Sequence, residues 1–191
     1  MEEEKKLISY HESGHALATQ LLDNTDPLQK VTIIPRGRSL GATEQVPKID
    51  RHNLSKNYLL SIIAVRLAGR AAEKIVYNDV SSGAADDLKN ATHLARQMVC
   101  QWGMSKDLGP MTFSQEEQQV FLGREMAQPK EYSEETASAI DREVQRILLE
   151  QEEKVTELLK NNRQWLDRLA SALLENETLE KNKIIEIIEA S

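Results

Sequence analysis

The segment ISYHESGHALATQLL, residues 8–22, restricts the fold more than any other, because its apolar residues recur at helical spacing. We expect one amphipathic helix over residues 4–23, ended by the turn-forming sequence DNTDP. Two histidines fall on the stripe that should face the core. The stripe consists of Leu7, Ile8, His11, His15, Ala18 and Leu22. A helix that buries two imidazoles needs partners for both, since an unpaired polar ring is costly inside a protein.

The sequence up to residue 112 predicts short strands between helices. KVTIIP at 30–35 is rich in β-branched residues and predicts a strand, and RSLGATEQV at 38–46, reached through an RG turn, predicts a second. Helices are expected over 55–77, with Ser55 as the N-cap, and over 84–102. The predicted fold class is therefore mostly α with a small β-hairpin or sheet.

The sequence after residue 112 predicts almost only helix. The polar, glutamine-rich segment 113–132 favours a loop, and helical spacing of apolar residues resumes at Ser133. Asn161 and Asn162 should break this helical run before RQWLDRLASALLE. The segment NETLEKNKIIEIIEA then predicts a last short helix, for which Thr178 is the expected cap. The two parts therefore differ in character, with a boundary predicted near residue 112.

Composition excludes several classes of function. The formal net charge of −7 and the lack of a basic run argue against nucleic-acid binding. The single cysteine, Cys100, excludes an internal disulfide. No apolar run approaches about 18 residues, so we expect no direct membrane insertion by this segment. The phosphate-binding pattern GxxxxGK[ST] is also missing, so any use of ATP must come from another module.

The sequence His11-Glu12-Ser13-Gly14-His15 has the HExxH spacing of zinc peptidases. Residues four apart on a helix lie one above the other, so His11 and His15 can present two imidazoles to one point. Glu12 lies beside them, where its carboxylate can accept a proton from a zinc-activated water. Gly14 is unfavourable within a helix by about 1 kcal/mol relative to alanine, which indicates a close backbone approach at that position.

A catalytic zinc needs a third protein ligand, and the residues leave alternatives. Ala18 and Leu21 stand where the extended metzincin motif requires glycine and histidine, so that class is excluded. A glutamate ligand could be Glu73, although Glu73 could instead form a surface pair with a nearby arginine or lysine. An aspartate ligand could be Asp86 or Asp87.

Helical phase favours Asp87 as the aspartate. Steps of 4, 7 and 11 residues from Asp87 reach only apolar positions, namely Ala91, Leu94 and Met98. The same steps from Asp86 reach only polar positions, namely Asn90, His93 and Gln97. Asp87 should therefore face the core, whereas Asp86 should face solvent or cap the helix start, and His93 should be a surface histidine.

Five ordered motifs strongly resemble one family. They are YHESGHAL, VTIIPRGRSLGAT, LAGRAAEKIV, SSGAADDLKNATHLARQMV and WGMSKDLGP. Together they are similar to the peptidase domain of the FtsH family, the membrane-anchored AAA ATP-dependent zinc proteases. The resemblance implies an HExxH zincin-like helical peptidase domain, with one Zn²⁺ per chain held by His11, His15 and Asp87 and with Glu12 as the catalytic base.

The resemblance also implies partners. Residues 1–112 would form the zinc-binding catalytic part, and 113–191 the helical C-terminal part of the same domain. The expected function is zinc-dependent endopeptidase action on unfolded or membrane proteins, in a homohexamer working with an AAA ATPase module. That module and the membrane anchor are absent from this sequence, so we expect an excised, soluble C-terminal portion that acts at the cytoplasmic face of a membrane.

The predicted second strand is the candidate substrate-binding element. Proteases of this kind hold an extended peptide by adding it to an exposed strand edge. The expected residues are Leu40, Gly41, Ala42 and Thr43, with Gly41 allowing close backbone approach. A purely structural hairpin is the alternative. For the whole chain, the alternatives are a catalytically idle helical assembly module with a structural zinc, and a stand-alone zinc protease that uses Glu73.

Overall fold

A computed structural model describes residues 2–35, 41–45, 53–113 and 132–190. The described helices are α1 (Glu2–Leu21), α2 (Lys56–Tyr77), α3 (Ala85–Cys100), α4 (Glu134–Asn161), α5 (Arg163–Asn176) and α6 (Lys181–Glu189). The described strands are β1 (Leu28–Thr32), β2 (Ala42–Gln45) and β3 (Thr178–Glu180). The expected fold class, mostly α with a small sheet, is confirmed. Within the described part of the chain, each helix is too short or too polar to span a bilayer.

The sheet has one strand more than the sequence predicts. β1 lies in the centre and pairs antiparallel with β2 on one edge and β3 on the other. The prediction that Thr178 caps the last helix is wrong, because Thr178 pairs with Thr32 in the sheet and Glu180 is the N-cap of α6. The two threonine hydroxyls are 2.8 Å apart, a contact between residues 146 positions apart that no local pattern reveals.

Two predicted helix boundaries are confirmed. The Ser55 side chain accepts a hydrogen bond from the backbone N–H of Tyr58 and so caps α2, as expected for a serine at this position. The break between α4 and α5 falls at Asn161 and Asn162. The predicted RG turn and most of the predicted loop at 113–132 lie outside the described residues.

Helices of both predicted parts share one hydrophobic core. α1 packs against α2 and α5, and α2 packs against α3 and α4. The buried cluster runs from Ala16 in α1 to Ile188 in α6. Helices α4 and α5 of the C-terminal part therefore pack against α1, the helix that carries the HExxH sequence. The boundary at residue 112 stays a prediction.

Gly14 lies at a close approach of α1 to α2. A Cβ atom at Gly14 would lie 2.5 Å from the carbonyl oxygen of Ala68 and 2.8 Å from the Cβ of Ala72. Both distances are below van der Waals contact, and the carbonyl belongs to a rigid helix backbone. The close approach expected from a glycine inside α1 is thus present, and it brings His11 and His15 against α2.

The variant Gly14→Ala should lower the free energy of unfolding by about 1–3 kcal/mol, the usual cost of overpacking, despite the better helix propensity of alanine. The measurement is urea unfolding monitored by circular dichroism. Ser13→Ala is the matched control, because Ser13 is also fully buried on α1 and its hydroxyl has no hydrogen-bond partner among the described residues. Equal stability of Gly14→Ala and wild type would contradict the packing described.

Candidate metal centre

Three side chains from two helices converge on one point. His11 and His15, one turn apart on α1, place their Nε2 atoms 3.1 Å from each other. Asp87, in the first turn of α3, places Oδ2 at 3.4 Å from His11 Nε2 and 3.3 Å from His15 Nε2. Both histidines are buried, and the Asp87 side chain is one-quarter exposed. The structure thus brings together the three residues that the sequence and the resemblance select.

Hydrogen bonds to the Nδ1 atoms, which point away from the cluster, determine the proton positions on the two histidine rings. His15 Nδ1 lies 2.7 Å from the carbonyl oxygen of Val65, which can only accept, so Nδ1 carries the proton. His11 Nδ1 lies 2.6 Å from the Glu73 carboxylate and donates to it. In the neutral rings both Nε2 atoms then hold a lone pair directed inward.

The donor set fits zinc. Two inward lone pairs and a carboxylate oxygen at such short distances repel one another unless a cation lies among them. With zinc–ligand bonds of about 2.0–2.1 Å and tetrahedral angles, ligand atoms stand about 3.3 Å apart. The observed separations of 3.1, 3.3 and 3.4 Å agree with that spacing. Two imidazoles and one carboxylate also leave a fourth position open, as in catalytic zinc sites.

Glu73 lies on the far side of His11 from this cluster. Its side chain is only 1% exposed, and it accepts hydrogen bonds from the Ser81 backbone N–H at 2.6 Å and the Ser81 hydroxyl at 3.1 Å. The alternative of a surface pair with arginine or lysine is therefore wrong. Glu73 contacts the outer nitrogen of His11 and orients the ring, a role that the sequence analysis missed.

The charges in the site are strongly coupled. Burial alone would lower the pKa of His11, but hydrogen bonds to Asp87 and Glu73 outweigh burial and raise it to about 9. Burial opposes ionisation of Asp87 as well, yet hydrogen bonds from His11 and His15 hold its pKa well below the usual range. The two carboxylates thus favour positive charge within the cluster, which either a proton on an imidazole or a metal ion bound to the neutral rings can supply.

The remaining predicted residues occupy distinct positions. Glu12 is buried beside the histidines, and its Oε2 accepts a hydrogen bond of 2.9 Å from the Thr43 hydroxyl. Asp86 and His93 are exposed on α3, as helical phase predicts. Leu40 lies outside the described residues.

Gly69 is a second residue that the sequence analysis missed. A Cβ atom there would lie 2.5 Å from His11 Nε2 and 2.6 Å from His15 Nε2. The lack of a side chain at this position of α2 therefore leaves the space that the two rings occupy. The available signal was a glycine inside an otherwise strong helical pattern. The Val65 carbonyl gave no such signal, because every residue has one.

A helix that carries two inward imidazoles and a glutamate, faced by a carboxylate from a second helix, is typical of the HExxH class of zinc peptidases. The family model described as peptidase family M41 matches residues 1–187. The chain belongs to peptidase family M41. This membership confirms the expected family and the expected enzyme class, a zinc metalloendopeptidase.

Curated relatives agree with the family. The "ATP-dependent zinc metalloprotease FtsH" of Nitrosococcus oceani is 59% identical over 178 residues, which cover 93% of this chain and 28% of the relative. "ATP-dependent zinc metalloprotease FtsH 4" of Sphaerobacter thermophilus is 49% identical over 189 residues, covering 99% and 29%. The FtsH protein of Thermotoga maritima is 45% identical over 186 residues, covering 97% and 30%. The chain spans less than a third of the length of these relatives.

The variant Gly69→Ala should bind zinc at least 10-fold more weakly, because the added methyl group displaces the inner nitrogens of both histidines. Helix propensity favours alanine by about 1 kcal/mol, so the fold should be retained. Zinc affinity is measured by competition with a chelator, and the fold by thermal melting of the zinc-free protein. Wild-type zinc affinity in a folded Gly69→Ala variant would contradict the packing of the imidazoles on α2.

Proposed function

We propose that this chain is the zinc endopeptidase domain of an ATP-dependent, membrane-anchored protease that degrades unfolded or membrane proteins. The cluster of His11, His15 and Asp87 beside the buried Glu12 is the observation that carries the proposal. His11 and His15 would hold Zn²⁺ through Nε2 and Asp87 through Oδ2, with one ion per chain. Zinc supplies Lewis-acid chemistry there, lowering the pKa of a water molecule to about 7 and polarising the scissile carbonyl.

Glu12 performs the proton transfers in this proposal. Its carboxylate accepts a proton from the attacking water as the water oxygen forms a bond to the scissile carbonyl carbon. The same proton then passes to the leaving amide nitrogen as the carbon–nitrogen bond breaks. The products are a carboxylate and an amine, so the step is a balanced hydrolysis. Position 12 suits this role because it lies on the same helix as the two imidazoles.

His11 and His15 are held for this chemistry by their outer nitrogens. The Glu73 carboxylate fixes the ring of His11, and the Val65 carbonyl fixes the ring of His15. Arg66 adds a positive charge 3.8 Å from Asp87 Oδ1, the oxygen that is not directed at the imidazoles. These contacts would hold the two Nε2 atoms and Asp87 Oδ2 in place before a substrate binds.

β2 is the proposed substrate-binding strand. Of its two edges, one pairs with β1, and the other faces no described strand. An extended peptide could add to this edge through backbone hydrogen bonds from the segment that contains Gly41, Ala42 and Thr43. Recognition of the backbone gives loose sequence preference, which suits an enzyme supplied with unfolded chains.

The length of the relatives supports the proposed partners. The aligned segments make up 28% and 29% of the two relatives named "ATP-dependent zinc metalloprotease FtsH" and "FtsH 4", which leaves room in such proteins for the AAA ATPase module that the proposal requires. We include a homohexameric assembly, protein substrates and a site of action at the cytoplasmic face of a membrane in the same proposal. ATP enters only through the ATPase module.

The variant Glu12→Gln should lose peptide hydrolysis by about 10²- to 10⁴-fold, the usual contribution of a general base. It should keep bound zinc and its melting temperature. The assay uses the zinc-loaded chain and an unstructured fluorogenic peptide, with metal content measured by atomic emission. Glu4→Gln, exposed on the same helix, is the matched control and should hydrolyse the peptide like wild type.

Two results would contradict the proposal. Undiminished hydrolysis by Glu12→Gln would remove Glu12 from the mechanism. A zinc-loaded wild type that hydrolyses no peptide, alone or joined to its ATPase module, would favour the alternative of an idle helical assembly module with a structural zinc.

A further inference from the structure

One face of β2 lies against helix α1. Thr43 and Gln45 alternate along the strand and therefore share a face, and Gly41, directly before the strand, lies against the same helix. Thr43 Oγ1 lies 2.9 Å from Glu12 Oε2, and Gln45 Nε2 lies 2.9 Å from Thr19 Oγ1, so this face contacts α1 at two points. Glu44 points to the other face, where it pairs with Lys30. The strand is thereby fixed in register against the helix that carries the HExxH sequence.

Among the residues that the structure describes, the Thr43 hydroxyl is the one that donates a hydrogen bond to the Glu12 carboxylate. Glu12 is 7% exposed, and its three side-chain torsions must be fixed for one oxygen to face a water molecule. Between a hydroxyl and an ionised carboxylate, the hydroxyl donates, and such charge-assisted bonds are among the stronger ones in proteins. The Thr43 hydroxyl occupies Oε2 and leaves Oε1 for the reaction.

Gly41 lies next to Oε1, the other carboxylate oxygen of Glu12. A Cβ atom at Gly41 would lie 2.6 Å from Glu12 Oε1 and 2.7 Å from its Cγ. Any side chain there would push the Glu12 carboxylate out of its position, although the flexible end of Glu12 could move without disturbing the fold. Thr43 thus donates a hydrogen bond to Oε2, and the lack of a side chain at Gly41 leaves space for Oε1.

We propose that Thr43 is a positioning residue for the reaction, acting through Glu12 and not through substrate. Its hydroxyl fixes the Glu12 carboxylate so that Oε1 faces the attacking water, and Gly41 provides the space that this position needs. The face of β2 that contacts α1 would then position the Glu12 carboxylate, and the edge of β2 that does not pair with β1 would bind the peptide. One strand would position both the base and the substrate. The inference rests on the proposed function of Glu12.

The kinetic test compares three variants in the zinc-loaded protein. Thr43→Val keeps the shape of threonine and removes the donor, so kcat should fall about 10- to 100-fold, as expected for a misplaced catalytic group, with KM unchanged. Thr43→Ser restores the donor and should recover most of this loss. Thr178→Val is the matched control, because its hydroxyl contacts Thr32 at the opposite edge of the sheet.

Gly41→Ala gives an independent arm of the test. It should lower kcat to a similar extent while bound zinc stays at the wild-type value, and the melting temperature should fall by no more than in Thr43→Val, because only the end of Glu12 needs to move. Wild-type kcat in Thr43→Val, or an equal loss in Thr43→Ser, would overturn the inference. An effect confined to KM would also overturn it, because that result would place Thr43 in substrate binding.

A double-mutant cycle tests the same contact without activity. Thr43→Val should lower the melting temperature by about 2–4 °C more when residue 12 is Glu than in a Glu12→Met background, as expected for one lost hydrogen bond. Thr178→Val should lower it equally in both backgrounds. Equal effects of Thr43→Val in the two backgrounds would overturn the inference. Because the cycle needs no turnover, it separates failure of the contact from failure of the proposed peptidase function.

Discussion

The close approach of helices α1 and α2 is the constraint on which the metal centre depends. Gly14 allows α1 to lie against the carbonyl of Ala68, and Gly69 leaves the volume that the two imidazoles fill. With an ordinary side chain at either glycine, the helices would stand further apart and the rings would lose their places. Each glycine costs helix stability of about 1 kcal/mol, and the buried contacts between the helices offset that cost.

Burial of polar groups is the second requirement, and at the cluster the fold meets it by giving the outer nitrogen of each histidine a hydrogen-bond partner. His11 is linked through Glu73 to Ser81, and His15 is bonded to the backbone of α2. In the neutral rings these outer contacts place the proton on Nδ1, so the inner atoms are all lone-pair donors. A site of this kind is arranged for a cation before any cation arrives, and α3 completes it by bringing Asp87 to the remaining side.

The sequence predicts those features that depend on local pattern. Helical spacing predicted α1 and the side of α3 on which Asp87 lies, and Ser55 predicted the start of α2. These signals depend only on residues that are a few positions apart. β3 was missed because a three-residue strand exists only through pairing with β1, far away in sequence. Glu73 was misjudged for a similar reason: GRAAEKI shows small and charged neighbours, and only the packing of α1 on α2 places the carboxylate against His11.

The most direct test of this account is the zinc content of the purified chain, compared between wild type, Asp87→Ala and the matched control Asp86→Ala. The account predicts about one zinc per chain in wild type and in Asp86→Ala, since Asp86 is exposed on α3 away from the cluster. It predicts loss of most of the zinc in Asp87→Ala, because two imidazoles alone do not complete a catalytic zinc site. Full zinc content in Asp87→Ala, or none in wild type after zinc is supplied, would contradict it.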